Sequence, residues 1–383
     1  MSSWSSPPEK SGRKVTDLTV LRSLLGASRR VVQTQHPHGP APMTAPKTLV
    51  EEIKAVCFAE GGYPDKWQKL PACPCCGAGP LRPIFKKYGI SHSQCGSCDF
   101  VCVDPFPPDE VLRKLYAGYY YTLTRELYEV PRVRKDGAHT AYSAPEDVLR
   151  HIIARGGEGR NSGSWLDVGG GIGVFASLIS KDLAGWSVAI NEFNPRSTEL
   201  ARELFGTEIL PADPQAIAAT GCQFDVISAI SVLEHIIQPR DFVDSYVRLL
   251  KPGGKFIVVV PHFTHLCAAV ARGSSPITVP PYHASLFNES NLMLMLSRCD
   301  LKNIETRQDG AGAFSLLQIA DYGDDWDITM PSEGKPAESI QVVPPPTKIA
   351  VVMNAFAEAD QKIGDYFAET DGRVFLTVFA EKK

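Results

Sequence analysis

The segment that most restricts how this chain folds is Trp165-Leu166-Asp167-Val168-Gly169-Gly170-Gly171-Ile172-Gly173-Val174-Phe175. A short apolar run passes directly into closely set glycines and then into a helical pattern. Such a run is a buried strand that turns sharply into a helix and leaves backbone bare at the turn. Turns of this kind occur in parallel α/β sheets, which bind ligands outside the carboxyl ends of their strands. A dinucleotide fingerprint requires glycine at its first, third and sixth positions, yet counted from Gly169 the sixth position is Val174. The last glycine, Gly173, arrives one residue early, which disfavours a nicotinamide cofactor.

The surrounding segments repeat the alternation of strand and helix. Trp186–Ile190, Phe224–Ile230 and Phe256–Val260 read as strands, with a shorter one near Thr207–Leu210. Asn194-Pro195 reads as an N-cap followed by proline at the first helical position, and Gly206 closes that helix. Phe242, Tyr246, Leu249 and Leu250 form the apolar stripe of another helix, stopped by Lys251-Pro252-Gly253-Gly254. The expected fold class is therefore α/β, a Rossmann-like sheet with helices on both faces. Glu192 closes the second strand 25 residues after Asp167, a spacing comparable with that of ribose-binding acids. The other reading of Glu192 is a carboxylate favoured by the dipole of the following helix.

Taken in order, Asp167-x-Gly169-x-Gly171-x-Gly173, Glu192, the run from Phe224-Asp225 to Leu233-Glu234-His235, and Leu250-Lys251-Pro252-Gly253-Gly254-Lys255-Phe256 resemble the class I S-adenosylmethionine-dependent methyltransferases. The resemblance covers residues 164 to 262. It implies that Gly169, Gly171 and Gly173 let the backbone approach the amino acid part of S-adenosylmethionine, and that Asp167 is an indirect or water-mediated partner of its ammonium group. It implies further that Glu192 accepts both ribose hydroxyls and that Asp213 contacts the adenine.

Six of the 10 cysteines fall between Cys73 and Cys102. Cys73 and Cys76 are separated by two residues, eighteen residues follow, and Cys95 and Cys98 repeat the gap, which is the spacing of a zinc ribbon. Four thiolates leave a tetrahedral Zn2+ no open position, so the expected site is structural. Cys75 and Cys102 are spare; Cys75 is an alternative ligand in the first knuckle, and a metal-free reading with buried thiols stays open. The run Cys95-Gly96-Ser97-Cys98-Asp99-Phe100-Val101-Cys102, with Leu115-Tyr116 and Tyr119-Tyr120, resembles the amino-terminal part of zinc-containing sugar methyltransferases. That resemblance implies that Tyr119 and Tyr120 cover the cofactor.

Methyl transfer is an in-line displacement, so the protein aligns donor and acceptor and, where required, removes a proton. His235, after the fourth strand, and His283, in Pro280-Pro281-Tyr282-His283, are the candidate bases, each with a structural role as its alternative. Glu234 is read as an orienting group, and His262 and His265 as weaker candidates. Sugar C-methyltransferases carry a Tyr-His-Glu-His group near this point, and only Tyr282-His283 survives here, which argues against carbon methylation.

A chain of 383 residues exceeds one ordinary core. The expected divisions are a flexible extension (1–48), a zinc-ribbon module (49–105), a helical connector (106–150), an S-adenosylmethionine-binding Rossmann-like domain (151–265) and a segment that completes the sheet and caps the substrate (266–383). A formal charge of −4 provides no field for a phosphate backbone, and no apolar run is long enough to span a bilayer. The expected partner is a small molecule, with no membrane association and a cytoplasmic setting; oligomeric state is not legible. The implied function is methylation of a small polar metabolite, in the first place a sugar, nucleotide sugar or glycoconjugate intermediate. Two rivals are an RNA or protein methyltransferase reading its target through the ribbon, with Lys86, Lys87 and Tyr88 as a basic aromatic face, and a non-catalytic cofactor-binding regulator.

Overall fold

A computed structural model of the chain describes residues 49–59, 63, 65–118, 124–138, 146–263, 277–309 and 375–383. The expectations for residues 1–48 and for Tyr119, Tyr120 and His265, and residues 266–276 and 310–374 of the expected sheet-completing segment, lie outside them.

The described chain begins with α1 (Leu49–Cys57), strands β1 (Leu81–Lys87), β2 (Ile90–Cys95) and β3 (Val101–Val103), and α2 (Asp109–Tyr116). A π-helical turn (Thr124–Glu129) leads into α3 (Val130–Asp136), and α4 (Glu146–Gly157) follows. Strand and helix then alternate: β4 (Gly163–Val168), α5 (Val174–Asp182), β5 (Trp186–Asn191), α6 (Pro195–Phe205), β6 (Glu208–Leu210), α7 (Pro214–Ala219), β7 (Phe224–Ile230), α8 (Pro239–Val247) and β8 (Leu250–Pro261). The remainder supplies β9 (Ser285–Leu286), α9 (Glu289–Ser297), β10 (Leu301–Asp309) and β11 (Phe375–Lys382).

Seven strands form one sheet in the order β10-β11-β8-β7-β4-β5-β6. The pairs β4–β5, β4–β7, β5–β6 and β7–β8 are parallel, whereas β11 runs antiparallel to both neighbours. The expected α/β fold is thus present, with a mixed sheet in place of an all-parallel dinucleotide one. Every residue of β7 is buried because helices cover both faces of the sheet. Trp165, Phe175, Ile179 and Trp186 fill one side, and Leu166, Ile227, Phe256, Val243 and Met295 the other. Asn194 caps α6 by accepting from Ser197 N at 3.1 Å, and Gly206 ends that helix in the left-handed region at φ 62°. The Lys251-Pro252-Gly253-Gly254 turn is absorbed into β8 as an irregularity in its pairing with β7.

A second sheet has the order β1-β2-β3-β9, so its last strand is supplied by the chain between β8 and β10 of the central sheet. Val103 N donates to Ala284 O at 2.9 Å beside this junction. Phe100 and Phe287 meet with ring centroids 5.2 Å apart, and Cys73, Cys75, Cys95 and Cys102 share one apolar cluster with Leu233, Leu292 and Leu296. No helix among the described residues is long and apolar enough to cross a membrane.

Candidate functional site

The glycine turn closes onto the end of β5. Gly169 N and Gly170 N both donate to Asn191 O, at 2.9 and 3.3 Å. Gly169 and Gly171 have φ of 62° and 54°, a region that a side chain strains to enter. A Cβ on Gly169 would come within 2.8 Å of Val232 Cγ2, so this glycine is needed for packing. At Gly171 the nearest atom would be the Arg125 guanidinium carbon at 3.7 Å, so there the missing side chain leaves backbone approachable. Gly173, at φ 82°, starts α5 against Thr207 and Ala201.

Two carboxyl groups flank this turn. Glu192 Oε2 accepts from Gly171 N at 3.1 Å and its Oε1 from Asn194 N at 2.8 Å. Each oxygen keeps lone-pair capacity for a further donor. Burial raises the Glu192 pKa, opposed by these N–H groups and by Arg125. Asp167 Oδ1 accepts from Ser228 Oγ at 2.7 Å, and Ser228 Oγ in turn accepts from Trp165 Nε1 at 2.9 Å. Asp167 Oδ2 is buried with no hydrogen-bond partner. Burial pushes its pKa to about 7, with Glu192 adding to the rise. An orphaned buried carboxylate oxygen beside bare glycine backbone fits the ammonium of an amino acid group, and the half-used carboxylate of Glu192 fits a diol. Asp213 lies exposed at the start of α7, where Oδ1 accepts from Gln215 N at 2.9 Å; what the structure gives it is a helix cap.

Beyond β7 a short 3-10 turn, Leu233–His235, carries the next group. His235 Nδ1 lies 2.8 Å from Tyr282 O and His283 Nδ1 lies 2.6 Å from Ile277 O. A carbonyl only accepts, so both rings carry their proton on Nδ1 and present Nε2 as a lone pair. The ring centroids are 4.9 Å apart. Both rings keep part of their surface open, but they sit deep enough that burial lowers the His235 pKa to about 3 and that of His283 to about 4. Each is a neutral acceptor at physiological pH. Glu234 is buried with Oε2 unpartnered, and burial raises its pKa to about 8. One ligand atom from each of Glu234, His235 and His283 lies within 4.8 Å of the others, a set that can hold a divalent cation as well as a proton. His262 is buried and bridges to Phe287, and it is not one of this group of three.

Of the residues that wall this region, sequence reasoning named Tyr116 and Tyr282 without bringing them together here, and passed over Phe193 and Glu52. The Tyr116 ring lies 5.7 Å from His235, 5.4 Å from Tyr282 and 5.3 Å from Phe193. Asn194 Nδ2 donates to Tyr116 O at 2.7 Å, which ties α2 to the rim of the glycine turn. The Tyr282 hydroxyl lies 3.1 Å from Glu52 Oε2, on α1.

The cysteine site is a pair of matching knuckles. Gly77 N donates to Cys73 O and Cys73 N to Ala78 O, both at 2.7 Å; Asp99 N donates to Cys95 O at 3.0 Å and Cys95 N to Phe100 O at 2.9 Å. Gly77 and Asp99 take positive φ at the same place in each turn. The Sγ atoms of Cys73 and Cys98 are 3.7 Å apart, those of Cys76 and Cys95 3.6 Å, and all four lie within 4.8 Å of one another. Zn–S bonds of about 2.3 Å in a tetrahedron require S···S separations of about 3.8 Å, so the four sulfurs fit a zinc ion. Cys75 Sγ is turned toward Asn291 O at 3.3 Å, outside the foursome, and Cys102 is also buried and not one of the four.

Residues 139–306 match the family model described as a methyltransferase domain. The ubiquinone biosynthesis O-methyltransferase of Schizosaccharomyces pombe, a mitochondrial protein, is 31% identical over 100 residues, 24% of this chain and 36% of that protein. Its counterpart in Caulobacter vibrioides is 29% identical over 111 residues, 28% of this chain and 44% of that protein. The chain therefore spans less than half the length of these relatives. Among solved structures, phosphoethanolamine N-methyltransferase 2 of Haemonchus contortus, in complex with S-adenosyl-L-methionine, has a TM-score of 0.41 at 15% identity, covering 67% of this chain and 59% of that one. An S-adenosylmethionine-dependent methyltransferase from Archaeoglobus fulgidus has a TM-score of 0.40 at 14% identity, covering 69% and 100%.

Proposed function

With a methyltransferase domain across residues 139–306 as the premise, we propose that this chain is an S-adenosylmethionine-dependent methyltransferase acting on a hydroxyl group of a small polar metabolite. The observation that carries the reading is the juxtaposition, on one glycine turn, of the orphaned Asp167 Oδ2, the open backbone at Gly171 and the half-used carboxylate of Glu192. When bound, S-adenosylmethionine supplies a methyl group already activated as a sulfonium. Asp167 holds the ammonium end, Glu192 the ribose hydroxyls, and Gly169, Gly171 and Gly173 keep side chains out of the way. Asp213 is assigned to the adenine rim.

A hydroxyl acceptor must shed a proton as it is methylated, and the paired histidines suit that need. His235 and His283 are neutral, with Nδ1 anchored on backbone carbonyls and Nε2 able to take that proton. The relatives' names, which describe O-methyltransferases, point the same way. Tyr116, Phe193 and Tyr282 suit a ring-bearing acceptor, so a sugar, nucleotide sugar or glycoconjugate intermediate remains the first class to assay. The ribbon as a reader of RNA has less support, since Lys87 and Tyr88 are buried and form no exposed basic aromatic face.

We also infer a structural Zn2+ on Cys73, Cys76, Cys95 and Cys98, supported by sulfur spacings that match a tetrahedron. Thiolates of this kind persist in a reducing compartment, which favours the cytoplasm.

The test is calorimetry of folded protein with S-adenosylhomocysteine and with a reduced nicotinamide dinucleotide. Binding of the first alone is expected, abolished in Gly171→Val while zinc content is kept. Binding of the nicotinamide alone would overturn the assignment.

A further inference from the structure

Glu234 and His235 end the short 3-10 turn after β7, and His283 comes from the chain between β8 and β9. Two hydrogen bonds tie these distant stretches together. The His235 ring donates to Tyr282 O at 2.8 Å, and Ser285 Oγ donates to Ile236 O at 2.6 Å. Tyr282 is held from another side as well, since its hydroxyl donates to Leu115 O at 3.2 Å. The three side chains thus meet on a braced frame, and a frame that fixes its ligands beforehand favours a bound ion.

Their meeting leaves one kind of atom in excess. Both imidazoles donate through Nδ1, His235 to Tyr282 O and His283 to Ile277 O at 2.6 Å, so Nε2 of each ring offers a lone pair and no proton. Glu234, 2% exposed, adds Oε2, which has no hydrogen-bond partner. One ligand atom from each of the three residues lies within 4.8 Å of the other two. Acceptors gathered out of water cost free energy, and one proton on the carboxyl group relieves one contact only. A divalent cation relieves all three together. A carbonyl behind each ring, which fixes its tautomer and orientation, is the support that metal-bound histidines take. Zn2+ bonds of about 2.1 Å set tetrahedral ligands about 3.4 Å apart, inside the reach of this set. Two imidazoles and one carboxylate suit Zn2+ better than Mg2+, which prefers oxygen ligands throughout. With three protein ligands a tetrahedral ion keeps one position open, unlike an ion on four cysteines. Both histidines keep part of their surface open, which gives the ion and then an acceptor a way in.

We propose that Glu234, His235 and His283 hold a divalent transition-metal ion of the Zn2+ type, whose open coordination position takes the hydroxyl of the methyl acceptor. The binding of the ion stands on these residues alone, whereas its work on a hydroxyl rests on the methyl-transfer reading above. A hydroxyl oxygen bound to the ion releases its proton to water more readily, so with the ion in place the imidazoles act as its ligands and not as bases.

Folded full-length protein, with its cysteine zinc retained, is titrated calorimetrically with Zn2+ in the presence and absence of S-adenosylhomocysteine. Saturable uptake of one further Zn2+ per chain is expected, weakened about tenfold or more by Glu234→Gln and by His283→Gln. Should the variants not fold, nuclear magnetic resonance of histidine ring nitrogens in the unmodified protein carries the test: Nε2 of His235 and Nε2 of His283 shift together as Zn2+ saturates, with Nδ1 still protonated. Zn2+ uptake that either folded variant keeps in full, or that leaves these two Nε2 atoms unmoved, overturns the site. So does the absence of any Zn2+ uptake beyond the cysteines. Uptake at the three residues in protein that does not bind S-adenosylhomocysteine keeps the ion site and overturns the methyltransferase reading instead.

Discussion

Asp167 carries a carboxyl group that the fold buries and satisfies at one oxygen only. Its pKa of about 7, against an ordinary 3.8, means that the native state keeps a proton the unfolded chain has already released between those two values. Stability therefore falls as pH rises through that window, by about 4 kcal/mol at most from this residue. Asp167→Asn is expected to melt higher than the unmodified protein near pH 8, to match it near pH 4, and to lose about tenfold or more in S-adenosylhomocysteine affinity. Thermal melts at the two pH values and calorimetry check this, and equal melting at both would remove burial as the cause. Asp167 and Glu192 stand out in the sequence because their distance from the glycines is fixed by local chain geometry. The contacts of Tyr116 with Asn194 and of Glu52 with Tyr282 do not, because they span 78 and 230 residues, separations that no local pattern encodes.

Strands buried on both faces are mostly apolar, so the central parts of β4, β5, β7 and β8 are legible in the sequence. β10 is not: Lys302, Asn303, Glu305 and Arg307 fill an edge strand whose outer positions face solvent, and its register slips between Lys302 and Glu305. The cysteine spacing foretells two knuckles, but nothing in it foretells that β9 would complete their sheet. With zinc on the knuckles, Cys76→Ser is expected to lower metal content and to cut thermal stability by several kcal/mol, since metal binding is coupled to folding. Metal analysis and melting of the purified variant read both quantities; an unchanged melt with metal lost would make the ion dispensable.

Across the whole molecule, the knuckles and the central sheet are bound by more than a linker. Cys75 and Arg298 bond across from either side, Phe100 packs on Phe287, and one apolar cluster runs from Leu70 to Leu376. Elements that share a core unfold together. Calorimetric melting is expected to give a single transition for the knuckles and the sheet; two resolved transitions would show that the cluster does not couple them.

The borrowed strand at Ser285–Leu286 also sets a rule for how such a molecule can be recombined. A segment cut at residue 105 would carry the knuckles away from the partner that shields the outer edge of Val101–Val103. Grafted elsewhere without those two distant residues, it would present unpaired amides to any passing chain, so the amino-terminal module and the loop bearing His283 can change hands only as a matched set.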